Sequence, residues 1–183
     1  MKNITYLLLA ICLVFAACGD DRDAQFILSN DGDNNTSPNL PEDIYEAATQ
    51  FTAAQVAPYE GQVLSEVNYY MLDTPLSTSI KIYGAGDGNT PGDVLYESSL
   101  TGAITADDWS THVLSTPLTL TGEEIWISIR MRLSRTQQSI GCDSGPSVAG
   151  GDWTFQESDG VWRSFQVRYG ESINWNIRGV VEE

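Results

Sequence analysis

Apolar and polar residues alternate with a spacing of two along most of this chain. The clearest run covers residues 125–133, where Ile125, Ile127, Ile129, Met131 and Leu133 share one face. Trp126, Ser128, Arg130 and Arg132 share the other. Successive side chains of a strand point to opposite faces, so this run predicts a strand, and its length predicts a central one. Residues 78–84 alternate as well, with Ile80 and Ile82 inward. Over 63–71, Val63, Ser65, Val67, Tyr69 and Met71 fall on one face; over 109–114, Trp109, Thr111 and Val113 do. Shorter strands are predicted at 47–51, 94–99, 118–120, 153–155, 162–165 and 173–181, with Pro117 marking an edge or a strand start. Helical periodicity is nearly absent. Thr52 with Gln55 forms a capping-box pair and Pro58 stops the turn, which predicts one short helical turn at 52–56. Many short strands between Gly-, Asp- and Pro-rich turns predict an all-β fold, an antiparallel β-sandwich.

The N-terminus breaks this pattern. Lys2 precedes an unbroken apolar run that ends in Ala16-Ala17-Cys18. The run is shorter than the ~20 residues of a membrane span and suits a signal-peptide core. Phe15-Ala16-Ala17-Cys18 resembles the lipobox of bacterial lipoproteins, with Phe15 where Leu is usual. That resemblance implies a lipid on Cys18 and a membrane as partner, several acyl chains holding far better than one. The acidic cluster Gly19-Asp20-Asp21-Arg22-Asp23 resembles the surface-export signal of lipoproteins in Bacteroides-like bacteria. It implies an outer-membrane lipoprotein displayed outward, the other case being a periplasm-facing one. Residues 18–43 are rich in turn formers and predict a flexible acidic tether. Asp31, Asp33, Asn35 and Glu42 stand at calcium-loop spacing, but Thr36 occupies the place of the required glycine. Phe26-Ile27-Leu28 finds no place in this scheme. The domains expected are thus 1–17 signal peptide, 18–43 tether and 44–183 β-sandwich.

Charge narrows the partners. The chain has 25 Asp+Glu against 9 Lys+Arg, a formal net charge of −16. Such a balance argues against nucleic acid and anionic lipid head groups, and favours solubility. Of three cysteines, Cys12 lies in the signal and Cys18 in the lipobox. Cys142 is left alone, so no intramolecular disulfide is expected, and a buried small hydrophobe is the expectation for it.

The domain also resembles a jelly-roll β-sandwich module of surface proteins in Bacteroides-like bacteria, distantly related to the adhesin (haemagglutinin) domains of gingipain-type proteases. The residues that carry it are Ala48-Thr49-Gln50-Phe51-Thr52, Ala57-Pro58-Tyr59-Glu60-Gly61, Ile80-Lys81-Ile82-Tyr83 and Pro91-Gly92-Asp93-Val94-Leu95-Tyr96-Glu97. Glu124-Ile125-Trp126-Ile127, Gly141-Cys142-Asp143-Ser144-Gly145-Pro146, Gly160-Val161-Trp162 and Asn174-Trp175-Asn176-Ile177-Arg178-Gly179 continue it. The resemblance implies a non-catalytic adhesion or binding module.

Candidate chemistry is sparse. Cys142-Asp143-Ser144-Gly145-Pro146 is reminiscent of a serine-protease nucleophile loop but lacks the second glycine that forms the oxyanion hole. His112 is the sole histidine and stands mid-strand, and a zinc site lacks ligands. Asp143 and Asp152 lie on a glycine-rich stretch and are candidate oxygen ligands for Ca2+. The alternatives are that this loop shapes a crossing between the sheets, or that it touches a ligand directly. Trp153, Trp162 and Tyr169, with Arg163 beside them, are candidate ligand-binding residues, because indole and phenol faces stack on sugar rings. Trp109, Trp126 and Trp175 lie in stronger strands and are expected to pack. Arg130, Arg132 and Arg135 are expected to pair across strands on an outer face. Two functions follow: an envelope binding module for glycan or protein, or a structural subunit of an outer-membrane assembly. A hydrolase is a distant third.

Overall fold

The computed structural model describes residues 25–183. The apolar leader, Cys18 and the acidic cluster 19–23 lie outside the described residues. The elements in order are β1 (Gln25–Leu28), β2 (Asn39–Leu40), β3 (Asp43–Phe51), α1 (Ala53–Val56), β4 (Val63–Met71), β5 (Ser77–Tyr83) and β6 (Val94–Ser99). They continue with β7 (Asp108–Thr119), β8 (Ile125–Leu133), β9 (Gln137–Gln138), β10 (Trp153–Gln156), β11 (Val161–Ser164), α2 (Phe165–Tyr169) and β12 (Ile177–Glu182).

Eight strands wind as a jelly roll. One sheet runs β1-β12-β4-β7, and the other contains β3-β8-β5-β6, every neighbouring pair antiparallel. Among these eight, the chain changes sheet at each step except the β5–β6 hairpin, the winding of a double Greek key. The hairpin β10–β11 joins the outside of β3 and extends the second sheet to six strands. It is inserted between β8 and β12, the last two strands of the roll.

The core follows the alternation. Ile127, Ile129 and Met131 of β8 are fully buried beside Ile80 and Ile82 of β5 and Tyr45 and Phe51 of β3. Val67, Tyr69, Met71, Ile177 and Val181 close it from the other sheet. Gly179 lets the sheets meet: a Cβ there would stand 2.8 Å from Leu64 Cδ1 and 3.0 Å from Ile127 Cδ1. Thr52 and Gln55 form the capping box at α1.

Several expectations are corrected. Residues 25–43 are not a free tether, and the sandwich includes Gln25–Leu28 rather than starting at residue 44. β1 adds to β12, which buries Leu28, and Leu40 is also in the core. Asn30 donates to Thr49 Oγ1 at 3.0 Å and to the Gln50 carbonyl at 2.9 Å. Asp31 is enclosed and pairs with Arg178 at 2.8 Å. The polar residues that resemble a solvated linker are hydrogen-bonding the body of the domain. Between Leu64 and Glu66, β4 carries one residue more than β12, where these two face Val181 and Val180, so Leu64 is buried while Val63 is only half-buried. An extra residue in one strand reverses the face of everything beyond it. The Trp109-Thr111-Val113 face is the outer one, because Ser110 and His112 stand opposite the inward Tyr69 and Val67. The Arg178 guanidinium covers the Trp109 ring at 4.3 Å. Phe165 opens α2 instead of ending a strand: the Ser164 hydroxyl accepts from Val167 N–H at 3.1 Å and Gly170 ends the turn at φ 81°. The final strand starts at Ile177, four residues later than the pattern predicts.

Candidate functional site

The outer face of the six-stranded sheet carries a second cluster, separate from the core. Register places Trp126, Ser128 and Arg130 of β8 opposite Gln50, Ala48 and Glu46 of β3. Trp153 and Phe155 of β10 lie on the same face, with Ser164 and Trp162 of β11 across from them. Trp126 is buried as expected, but beneath Trp153 and Trp162 rather than inside the sandwich. Its ring centroid is 5.2 Å from Trp153 and 5.8 Å from Trp162, and Phe155 meets Trp162 at 5.5 Å. Offset and edge contacts of this kind are the favoured aromatic geometries.

A polar ladder fixes the indoles. Trp126 Nε1 donates to Glu124 Oε1 at 2.7 Å, and Gln50 Nε2 donates to Glu124 Oε2 at 2.8 Å. Trp153 Nε1 donates in turn to Gln50 Oε1 at 3.0 Å. The amide of Gln50 thus braces Trp153 against Glu124 through both its nitrogen and its oxygen.

Two clefts meet at this cluster. One, of about 420 Å³, is lined by Gln50, Gly88, Ser147, Val148, Asp152, Trp153, Ser164 and Gln166, among others. The second, of about 380 Å³, is lined by Asn89, Trp153, Val161, Trp162, Arg163, Ser164 and Val167. Trp153 and Ser164 belong to both, so the clefts adjoin across these two residues. Gly88 and Asn89 come from the glycine-rich loop after β5. That loop depends on Gly86, where a Cβ would stand 1.8 Å from the Thr90 carbonyl oxygen.

Four of the expected site residues thus come together: Trp153, Trp162, Arg163 and Asp152. Arg163 lies at the rim with its charge engaged, because it and Arg168 both hold Asp159 in the β10–β11 turn. The Arg168 side chain, with Arg163, holds the Asp159 carboxyl well below the usual carboxylate range. Asp152 is buried. Its Oδ2 accepts from Gln166 N–H at 3.0 Å. Burial pushes its carboxyl above the usual range, against the pull of the Gln166 and Phe165 amides.

Two expected residues lie elsewhere. Tyr169 is on α2, stacked on Phe165 at 4.6 Å, and lines a separate cleft of about 360 Å³ with Ser37, Gln138 and Glu171. Asp143 is a structural knot. Its Oδ1 accepts from Gly145 N–H and Asn174 N–H, each at 2.8 Å, and its Oδ2 accepts from Gly32 N–H at 3.0 Å and Asn174 Nδ2 at 2.9 Å. Four N–H groups aimed at one carboxylate occupy the directions a calcium ion would need, which overturns the calcium expectation for Asp143. No group of three or more His, Cys, Asp or Glu suited to a metal occurs among the described residues. Cys142 is fully buried and its thiol is pushed up to about 12, first by burial and then by Asp143 and Glu171. His112 Nε2 sits 2.8 Å from the Tyr96 hydroxyl, between facing edges of the two sheets.

Gln50, Ser147, Gln166 and Asn89 were not among the expected site residues. The signals available were faint: Gln50 is an outer-face residue beside Ala48, and Asn89 lies in a loop with four glycines.

No family model and no curated protein matches this chain. Among solved structures it is similar to the Clostridial cysteine protease Cwp84 after propeptide cleavage, at 9% identity and a TM-score of 0.60, covering 86% of this chain and 40% of that one. It is also similar to the structure of the cysteine protease and lectin-like domains of Cwp84, a surface layer associated protein of Clostridium difficile. There the identity is 11% and the TM-score 0.55, covering 83% of this chain and 36% of that one. The chain spans well under half the length of both. At such identity the likeness is one of fold, an antiparallel β-sandwich.

Proposed function

We propose that this protein is a lipid-anchored cell-envelope binding module that recognises glycan at the Trp153 cleft and makes no covalent change. The observation that carries the reading is the convergence of Trp153, Trp162 and Asp152 on two adjoining clefts that share Trp153, built around a hairpin added to the jelly roll. Indole faces offer apolar stacking area, and the polar groups beside them offer partners for hydroxyls. Loops and insertions on a rigid scaffold are where binding residues concentrate. The lectin-like domain of a surface-layer associated protein supports the reading at the level of fold.

A glycan array probed with the purified full-length protein tests it. Binding to at least one glycan class is expected, with Trp162→Ala weakening it about tenfold or more, the scale of an aromatic anchor. No binding to any glycan contradicts the reading. That result favours the second one, an assembly subunit. The exposed Val94, Leu95 and Val113 on the edge strands β6 and β7 favour that alternative.

Anchoring rests on the sequence around Cys18, and outward display on the cluster 19–23. Palmitate labelling in cells is expected for the natural chain and lost in Cys18→Ala. Label retained by Cys18→Ala overturns the anchor.

A further inference from the structure

We infer that Asp152 is the specificity-determining acceptor of the cleft, selecting an uncharged sugar with free hydroxyls over a uronate or sulfated one. This rests on the glycan reading of the same cleft and gives it a ligand class. The key observation is a contrast between two buried carboxylates in one molecule. Asp143 is 7% exposed and both of its oxygens accept from N–H groups, four in all. Asp152 is 5% exposed, yet its carboxylate accepts one hydrogen bond, from the Gln166 backbone N–H to Oδ2, while the nearby Phe165 N–H donates to the Asp152 carbonyl. Its other carboxylate oxygen has no donor among the described residues, and the residue lines the cleft beside Trp153. A carboxylate oxygen at the wall of a cleft, with lone pairs not taken by the protein, can accept from a ligand hydroxyl, and a hydrogen bond to a charged acceptor is a strong one.

The neighbours leave this role to Asp152. Both amide atoms of Gln50 are committed to Glu124 and Trp153. The Ser147 hydroxyl donates to Gln166 Oε1 at 3.1 Å. Asp152 is thus the strong acceptor open to a ligand beside the indole face. It also sets the sign of the site. Among the described residues no Lys or Arg lines the Asp152 cleft, and Arg163 at the adjoining rim is held by Asp159. A carboxylated or sulfated sugar would approach a buried carboxylate with no neutralising cation, in a chain of net charge −16. A hydroxyl gains a charge-assisted hydrogen bond at the same place.

The test compares neutral oligosaccharides (glucose- and galactose-based) with the uronate oligosaccharides of equal length, titrated against the full-length protein. Wild type is expected to bind a neutral member and discriminate against its uronate partner. Asp152→Asn keeps an amide oxygen for Gln166 N–H and removes the charge. It is expected to weaken neutral-sugar binding about ten- to a hundredfold, the scale of a hydrogen bond to a charged group. It is also expected to narrow the discrimination against uronate, with the melting temperature unchanged or raised because a buried charge is gone. Neutral-sugar affinity unchanged in Asp152→Asn but abolished in Trp153→Ala overturns the inference and leaves the glycan reading standing. A wild-type preference for uronates overturns it without recourse to any variant. Failure of every sugar in both sets overturns the glycan reading, and this inference with it.

Discussion

Replacing Glu46 with Ala is expected to destabilise the fold by about 3–5 kcal/mol, the cost of breaking a buried ion pair from one side. Glu46 is 3% exposed at the centre of the outer face. Its Oε1 accepts from Arg130 at 2.9 Å and Lys81 at 3.3 Å; its Oε2 accepts from the Tyr83 hydroxyl at 2.6 Å and the Ser128 hydroxyl at 2.9 Å. Alanine would leave Lys81 and two hydroxyls without this acceptor and Arg130 with Glu157 alone. Burial alone would raise the Glu46 carboxyl. The Tyr83 hydroxyl, Lys81, Arg130 and Ser128 outweigh it and hold the carboxyl below its ordinary value. A carboxyl depressed in the folded state contributes stability that is present above its unfolded value, here 4.5. That contribution is lost as pH falls through the lower folded value. Denaturant unfolding as a function of pH checks both points. Glu46→Ala is expected to be less stable than wild type at pH 7, and the gap to close on acidification below about pH 4. Equal stability at pH 7 would mean that the cluster contributes nothing.

Asp143→Ala is the second large effect, expected to cost about 3 kcal/mol or more because it leaves buried amides without an acceptor. Asp143 ties three segments: Gly32 from the N-terminal arm, Gly145 from its own loop and Asn174 before β12. Burial opposes its ionisation, but the Asn174 side chain and the Gly32, Gly145 and Asn174 amides hold its carboxyl below the usual range. The same knot predicts a local signature. Hydrogen exchange in Asp143→Ala is expected to accelerate first over residues 29–36 and 141–147. Exchange that accelerates uniformly, or a melting temperature restored by added calcium, would contradict a purely internal role for this carboxylate.

How much was legible in the sequence depended on whether a residue's role is local. The faces of β8 and β5 follow from alternation alone, and the capping box at α1 is a pattern of two residues three apart. The jelly-roll winding entered through a resemblance carried by short motifs, and the observed strand order agrees with it. Roles set by distant partners were not legible. Asp31, Asp143 and Asp152 look alike in sequence, each an aspartate beside glycine or other polar residues. One is bound by Arg178, one by four N–H groups and one by a single amide. The N-terminal arm reads as a tether because its composition is polar, although its side chains satisfy donors up to 147 residues away in the chain. The bulge in β4 has no composition signal and moves Leu64 to the inner face. Tyr169 and Trp162 are near neighbours in sequence, but α2 turns Tyr169 into a different cleft. Its signals, a Ser cap and a closing glycine, bracket only five residues, too few to show helical periodicity.

The insertion between β8 and β12 organises the functional account. It adds β10 and β11 to the sheet, brings two indoles over Trp126 and delivers Asp152 to the cleft wall. The jelly roll supplies the platform, through Gln50 and Glu124, that holds those indoles in place. Binding and stability are separable in this arrangement, since Asp152, Trp162 and Asn89 lie apart from the core. Hydrogen exchange of the full-length protein with and without its best array glycan tests this most directly. Protection is expected to be confined to residues 86–90, 147–153 and 161–167, which surround the two adjoining clefts. Protection centred on the edge strands β6 and β7, with none around Trp153, would contradict it.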